Sequence, residues 1–364
     1  MSKKRIAFLP NHPAQIWLLR PIAEGAAEFA DVVWIIRDKD CALELADALG
    51  LGHTVLTKAA RGFVGNALEF ARATAHAVRL GVRLKIDLWV TKHGPGNIAA
   101  RLTGKESVSF NDDDADVVPL IAWTSYPFAS ATLVTDVTRM GRFEPKAIRF
   151  KGFYELCYLH PDRFTPDESI FEDLGVPRRE PYALVRLSAL QAHHDVGIRG
   201  VSEDLLRSVI ALTEDRMQLF ITSEKPLAAD LESYRLPLAL HRVHHALAFA
   251  QFYLGDSQTM TSEAAVLGTP AFRINDFVGR ISYIEELEKR GLAFGFRPGQ
   301  EADLLRNLKG ILQMENMEAE FQKRRQDMLS EKIDPVPWFV DILRMMVQGV
   351  SMKEIRERVS GAGD

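Results

Sequence analysis

Residues 255–270 read GDSQTMTSEAAVLGTP. The apolar run QFYLGDS leads into this stretch. A tight turn follows, and then a short helix that must stop at Gly268, ahead of Pro270. This strand-to-helix handover is the unit from which the whole chain is built. The helix opens on Ser257, Gln258 and Thr259 and carries one carboxylate, Glu263, among alanines. Backbone N–H groups at a helix start have no intrahelical partner, and the helix dipole makes that end positive, so the turn suits an anion such as a phosphate. Glu263 lies about one and a half turns further on, placed to accept from two vicinal hydroxyls such as a ribose diol. The plainer alternative is that Asp256 or Ser257 only caps the helix.

The same alternation runs outward in both directions. Upstream, RIAFLP, DVVWIIRD, HTVLT, IDLWVTK, ESVSFN and ATLVTDV read as strands. Between the earlier of them lie helical stretches: IWLLRPIAEGAAEFA, DCALELADALG, a long helix from about Gly62 to Leu80, and GNIAARLTG. Near-continuous apolar strands separated by helices predict a parallel sheet covered on both faces. The rhythm breaks at YLHPDRFTPDES, a polar linker with two prolines between Tyr158 and Ser169. It restarts with YALVRLS (strand), EDLLRSVIALTED (helix), MQLFITSE (strand), ADLESY and RVHHALAFA (helices), AFRIND (strand) and ISYIEELEKRG (helix). The expectation is two doubly wound α/β domains, residues 1–160 and 161–334, followed by a C-terminal segment, 335–364. The tail PVPWFVDILRMMVQGV is an amphipathic helix that suits either the first domain or the second.

Composition narrows the function classes. The 364 residues are 47% hydrophobic and 26% charged, with a net charge of −4, which does not suit bulk nucleic-acid binding. Cys41 and Cys157 have no metal spacing and read as reduced, buried thiols of a cytoplasmic protein. The apolar run in MSKKRIAFLPNHP is broken by Pro10, and no stretch reaches the roughly 18 apolar residues of a membrane span. One segment is basic: Lys58, Arg61, Arg72, Arg79, Arg83 and Lys85, against Glu69 alone. An ordinary surface helix is the plainer reading, and contact with anionic lipid headgroups at the inner membrane face is the alternative.

Ligands of such sheets bind at the carboxyl ends of the strands, so the loops there carry the candidates. In the second half, Arg186, His193, His194, Asp195 and Arg199 crowd one loop, where two arginines suit a diphosphate. A metal is not expected, because no second ligand cluster has suitable spacing. His244 and His245 open the helix before the strand at Tyr253, and Arg280 follows NDFVG in the next strand-end loop. In the first half, His12, Lys92, His93, Asn111, Asp112 and Asp113 share one rim, with Gly94 and Gly96 permitting close backbone approach. A histidine or carboxylate there is a candidate base for an acceptor hydroxyl. The plain reading of the acidic run FNDDDAD is a solvated turn.

The segments KDCALELADALG (39–50), FND (110–112), GFYELCYLHP (152–161), HDVGIRG (194–200) and GDSQTMTSEAAVLGTPAFR with FVGR resemble the DUF354 family. That family is similar to the GT-B superfamily, in particular MurG-type glycosyltransferases and non-hydrolysing UDP-N-acetylglucosamine 2-epimerases. The resemblance implies two Rossmann-like domains facing across a cleft, a nucleotide-sugar held mainly by the C-terminal domain, and a last helix returning to the N-terminal domain. It implies a ribose contact at Glu263 and matches Arg280 to an epimerase arginine. The sequence departs at Gln258 and Thr259, where the epimerases have two glycines, at Gly279 in place of a glutamate, and at FNDDDAD in place of the epimerase catalytic stretch.

Together these give a glycosyltransferase-like enzyme using a nucleotide-sugar, UDP-linked, in cell-surface glycan biosynthesis. Its acceptor would be a glycan or a lipid-linked molecule, and it would carry no bound cofactor. Arg186, Arg199, His244, Ser257, Gln258, Thr259, Glu263 and Arg280 are the expected nucleotide-binding residues. His12, His93, Asp112 and His194 are the catalytic candidates. The alternatives are a sugar-nucleotide epimerase or hydrolase acting without an acceptor, and a non-catalytic nucleotide-sugar-binding protein. The base, the sugar, the acceptor and the oligomeric state stay open.

Overall fold

A computed structural model describes residues 3–60, 62–187, 199–223 and 226–360. The chain divides into two compact units. One combines Met1–Tyr158 with Ile333–Asp364, and the other is Leu159–Lys332.

The first unit begins β1 (Lys4–Phe8), α1 (Pro13–Ala26), β2 (Ala30–Asp38), α2 (Ala42–Ala48), β3 (His53–Lys58) and α3 (Phe63–Arg83). It continues β4 (Leu88–Val90), α4 (Gly94–Leu102), β5 (Glu106–Phe110), α5 (Pro119–Ser125), β6 (Ala131–Thr135) and β7 (Ala147–Phe150). The seven strands are all parallel, in the order β3-β2-β1-β4-β5-β6-β7. Their apolar residues alternate between two covered faces, and the exposed polar residues Lys4, Asp31, Lys58 and Glu106 lie at or next to strand ends. Ile6, Phe8, Leu88, Val90 and Leu133 face one core, and Ala7, Leu9 and Trp89 face the other with Ala73, Ala77 and Leu80 of α3.

The short helix α6 (Leu156–Leu159) ends this unit's first segment, and α7 (Ile170–Asp173) opens the second unit. Between them the proline-containing stretch is pinned by Arg242, which donates to Asp167, Ser169 and Asp173 at 2.6–2.8 Å. The second unit continues β8 (Tyr182–Leu187), α8 (Glu203–Thr213), β9 (Gln218–Ser223), α9 (Val243–Phe249), β10 (Tyr253–Gly255) and α10 (Gln258–Leu267). It then runs β11 (Ala271–Ile274), α11 (Ser282–Lys289), β12 (Ala293–Phe296), α12 (Glu301–Leu312) and α13 (Met317–Glu331). The sheet is again all parallel, ordered β12-β11-β10-β8-β9. The ADLESY stretch, read as a helix, is only a 3₁₀ turn at Glu232–Tyr234. Six residues with no side-chain cap do not carry an α-helix past its costly first turn.

The tail forms α14 (Pro335–Val347) and α15 (Met352–Ser360). Asp334 caps α14 by accepting from the Val336 N–H at 3.0 Å, and Pro335 fits the first turn, where no N–H is needed. Val336, Phe339, Ile342 and Leu343 join the core of the first unit with Leu19 and Ile22 of α1. The last helices therefore return to the N-terminal unit.

Candidate functional site

Each sheet reverses its strand order at one point, and the loops flanking that point open a crevice. In the second unit the reversal lies between β8 and β10, so the 255–270 stretch stands at it. Ser257 is extended and caps α10, its hydroxyl accepting from the Met260 N–H at 3.3 Å. Gln258 and Thr259 form the first turn, where N–H groups face outward along the dipole. The cap and the N–H groups read as an anion site thus share one turn. Gly268, with φ 81°, ends the helix in the left-handed region.

Further along α10, Glu263 meets His244 of α9, Oε1 to Nε2 at 3.0 Å, and both side chains are buried. Arg186, next to last in β8, is in register with Gly255 of β10, and its Nη1 donates to Thr222 Oγ1 at 3.1 Å. Tyr253 was not singled out by sequence. Its hydroxyl lies directly over Gly255, where a Cβ would collide with it, and burial pushes its pKa well above the usual phenol value. Asp256 is buried against the backbone of Gly200, and Asn275 donates to its carbonyl at 2.9 Å.

The neighbouring loops are tied to one another. The backbone N–H of Arg199 donates to Asp276 Oδ2 at 2.7 Å, and its guanidinium reaches Oδ1 at 3.3 Å. The backbone hydrogen bond, then the guanidinium, hold the Asp276 carboxyl below the usual range. Arg280, on the loop after β11, is exposed and rests over the Phe277 ring at 5.7 Å. His193, His194 and Asp195 lie outside the described residues.

In the first unit the reversal lies between β1 and β4. His12 caps α1, accepting from the Ala14 N–H at 3.3 Å, and stands exposed 3.9 Å from Asp40. His93 follows β4. Asn11 Nδ2 approaches its Nδ1 at 3.5 Å, which assigns the ring proton to Nε2. Nε2 is shielded from solvent without a partner among the described residues. Burial, then the nearby Arg37 charge, drive the His93 pKa down to about 3, so the ring is neutral at physiological pH.

Beside it, Lys92 reaches Asp112 at 3.2 Å and Asp113 at 2.9 Å. Burial opposes the lysine's charge, but Asp113 and Asp112 more than offset it and raise its pKa. Asp112 is also raised, because burial outweighs the pull of Lys92. Asn111 is buried and donates to the Tyr126 hydroxyl. The FNDDDAD run is therefore a half-buried charged cluster rather than a solvated turn. Gly94 and Gly96 serve packing within this unit. A Cβ would meet the Thr124 carbonyl at 2.7 Å in the first and the Thr91 methyl at 2.8 Å in the second.

Solved structures match this architecture along nearly its whole length. A putative UDP-N-acetylglucosamine 2-epimerase from Listeria monocytogenes aligns with a TM-score of 0.67 and 12% identity, covering 98% of this chain and 98% of that one. Anabaena HepE, solved with UDP and glucose, aligns at 0.61 and 15% identity, covering 94% and 99%. A spinosyn forosaminyltransferase aligns at 0.58 and 15% identity, covering 95% and 100%. The fold is GT-B, two Rossmann-like domains each built on its own parallel sheet. No protein-family model and no curated protein matches the sequence, so the DUF354 resemblance rests on its motifs alone.

Proposed function

We propose that the protein is a glycosyltransferase that moves a sugar from a nucleotide-sugar, UDP-linked, to an acceptor hydroxyl in cell-surface glycan synthesis. The observation that carries this reading is the Ser257-capped start of α10 at a strand reversal, with the buried His244–Glu263 pair between α9 and α10. A helix start for a diphosphate and a carboxylate for a ribose diol are the two demands of a nucleoside diphosphate. The structures solved with UDP or acting on UDP-sugars share the fold and so support the ligand class.

In this reading the acceptor oxygen attacks the anomeric carbon and gives its proton to Asp112, while the bond from sugar to diphosphate breaks. The leaving diphosphate is stabilised by the α10 dipole and by Arg186, Arg199 and Arg280, with no bound metal assigned a part. Asp112 suits the base better than His93, because burial raises the pKa of its carboxylate and makes it the stronger base, whereas burial lowers the imidazole to about 3. His93 instead presents an Nε2–H donor. The activity belongs to the cytoplasm.

A second reading, a UDP-sugar 2-epimerase, is favoured by one observation. Among the three structures described above, the one named as an epimerase superposes better, 0.67 against 0.58 and 0.61. The test is proton and phosphorus NMR of the protein with a panel of nucleotide-sugars and no acceptor. Binding without conversion supports the transferase, and a new sugar-nucleotide epimer supports the second reading. Binding by none of them overturns both.

A further inference from the structure

The outer face of α3 has an unusual composition for a solvent-exposed helix. Phe63 is 84% exposed, Val64 68%, Leu68 54% and Val82 66%. Ala67, Ala71 and Ala75 are exposed between them. At 3.6 residues per turn all seven fall within an arc of about 140°, in which Thr74 is the one polar side chain, half-buried with its hydroxyl donating to the Phe70 carbonyl at 2.9 Å. Arg72, Arg79 and Arg83, all exposed, form a row along one border of that arc. The sole acid of the helix, Glu69, points the other way. It is buried in a paired contact with Arg37 at 2.6 and 2.9 Å and accepts from Thr57 at 2.7 Å.

Exposed apolar side chains occur on the neighbouring helices as well. Helices α3, α4 and α5 pack side by side, and Leu102, Leu120 and Trp123 are exposed on the latter two. Arg142 lies over the Trp123 ring at 4.5 Å. Exposed apolar surface of this extent marks an interaction face.

We propose that this layer docks on a lipid bilayer carrying anionic headgroups. The apolar stripe of α3 enters the acyl boundary, and Arg72, Arg79 and Arg83 meet the headgroup charge. Charge selects this occupant over a second copy of the chain. A two-fold interface presents the same patch twice, so its arginines would need acids on that patch, and α3 has none free of Arg37. The docked face also reaches the first-unit rim. Phe70 of α3 packs edge-on against His93 with ring centroids 6.2 Å apart, about two turns along the helix from Phe63 and Val64. Resting on the function proposed above, this favours a lipid-linked acceptor whose headgroup stands at the rim.

The experiment is flotation of the full-length protein with phosphatidylcholine vesicles, with and without phosphatidylglycerol. Three proteins are compared: wild type, Phe63→Ser with Leu68→Ser, and the triple change of Arg72, Arg79 and Arg83 to Gln. Nucleotide titration in solution, without vesicles, accompanies each. Wild type is expected to float with the anionic vesicles only. The apolar variant should lose at least about tenfold in partitioning, and the arginine variant on the order of a hundredfold. Nucleotide affinity should be unchanged in both, which separates failure of docking from failure of the nucleotide reading. Equal flotation of all three proteins, or none by wild type, overturns the proposal. So does a wild-type dimer in light scattering that Phe63→Ser with Leu68→Ser converts to monomer.

Discussion

His244 Nε2 lies 3.0 Å from Glu263 Oε1, and the two side chains meet between α9 and α10 with almost no solvent contact. They come from different helices, so the carboxylate is held by packing rather than by its own segment. Glu263→Ala is expected to weaken UDP binding by about 1.5–3 kcal/mol, the range for a hydrogen bond to a charged group. Isothermal titration measures it, and an unchanged affinity removes Glu263 from the ribose site. His244→Ala should lower affinity too, by less, because it only loosens the carboxylate.

On the proposed mechanism the Lys92 cluster sets the pH dependence of turnover. Asp112 must be ionised to accept a proton, and its pKa is raised, so activity should climb with pH through a value above the ordinary carboxylate range. Lys92 pulls that value down. Lys92→Met should therefore move the acidic limb of kcat/KM to higher pH. A limb that stays put would assign the proton to another group.

Buried charge also holds α3 to the sheet. Arg37 on β2 and Glu69 on α3 form a two-bond pair with little solvent contact, and hydrogen bonds from Arg37 and Thr57 outweigh burial to lower the Glu69 pKa. Arg37→Met alone should cost roughly 3–5 kcal/mol in urea unfolding, because it strands a buried carboxylate. Arg37→Met with Glu69→Leu should recover most of that loss. Equal losses in both variants would mean the pair contributes through shape and not charge.

His93 makes the first unit sensitive to acid. Its pKa falls from the ordinary 6.5 to about 3 on folding. A depressed pKa contributes stability that is complete above pH 6.5 and is lost as pH falls toward 3. The loss is on the order of 4 kcal/mol over that window. In His93→Gln the decline in melting temperature between pH 6.5 and pH 4 should flatten, and a decline identical to wild type would argue that the ring is already solvated.

The strand-and-helix alternation was readable wherever an apolar run was long enough to stand out, as at Lys4–Phe8 or Tyr182–Leu187. It was unreadable where tertiary packing does the selecting. β7 has four residues, one of them Arg149, directly behind a turn containing Pro145, and β12 is AFGF with a glycine inside. Ser257, Glu263 and Asp112 were visible because small hydroxyls and acids are conspicuous at strand ends. Their partners were not. His244 was named without its link to Glu263, and Arg37 and Tyr253 were missed, because each acts through a neighbour that only the folded chain brings near. The acidic rim stayed open between a solvated turn and a site, and only the fold shows the lysine one strand away that makes it an ion cluster.

The N-terminal unit is assembled from both ends of the chain. During synthesis the second unit is contiguous and complete before α14 emerges, whereas Ile6, Phe8, Leu19 and Phe150 wait for Val336, Phe339 and Leu343 to cover them. Domains ordinarily fold in the order they are made, and uncovered apolar surface is the route to aggregation. This nascent chain inverts that order, so a transcript truncated near its end would release one finished unit joined to one with an open core.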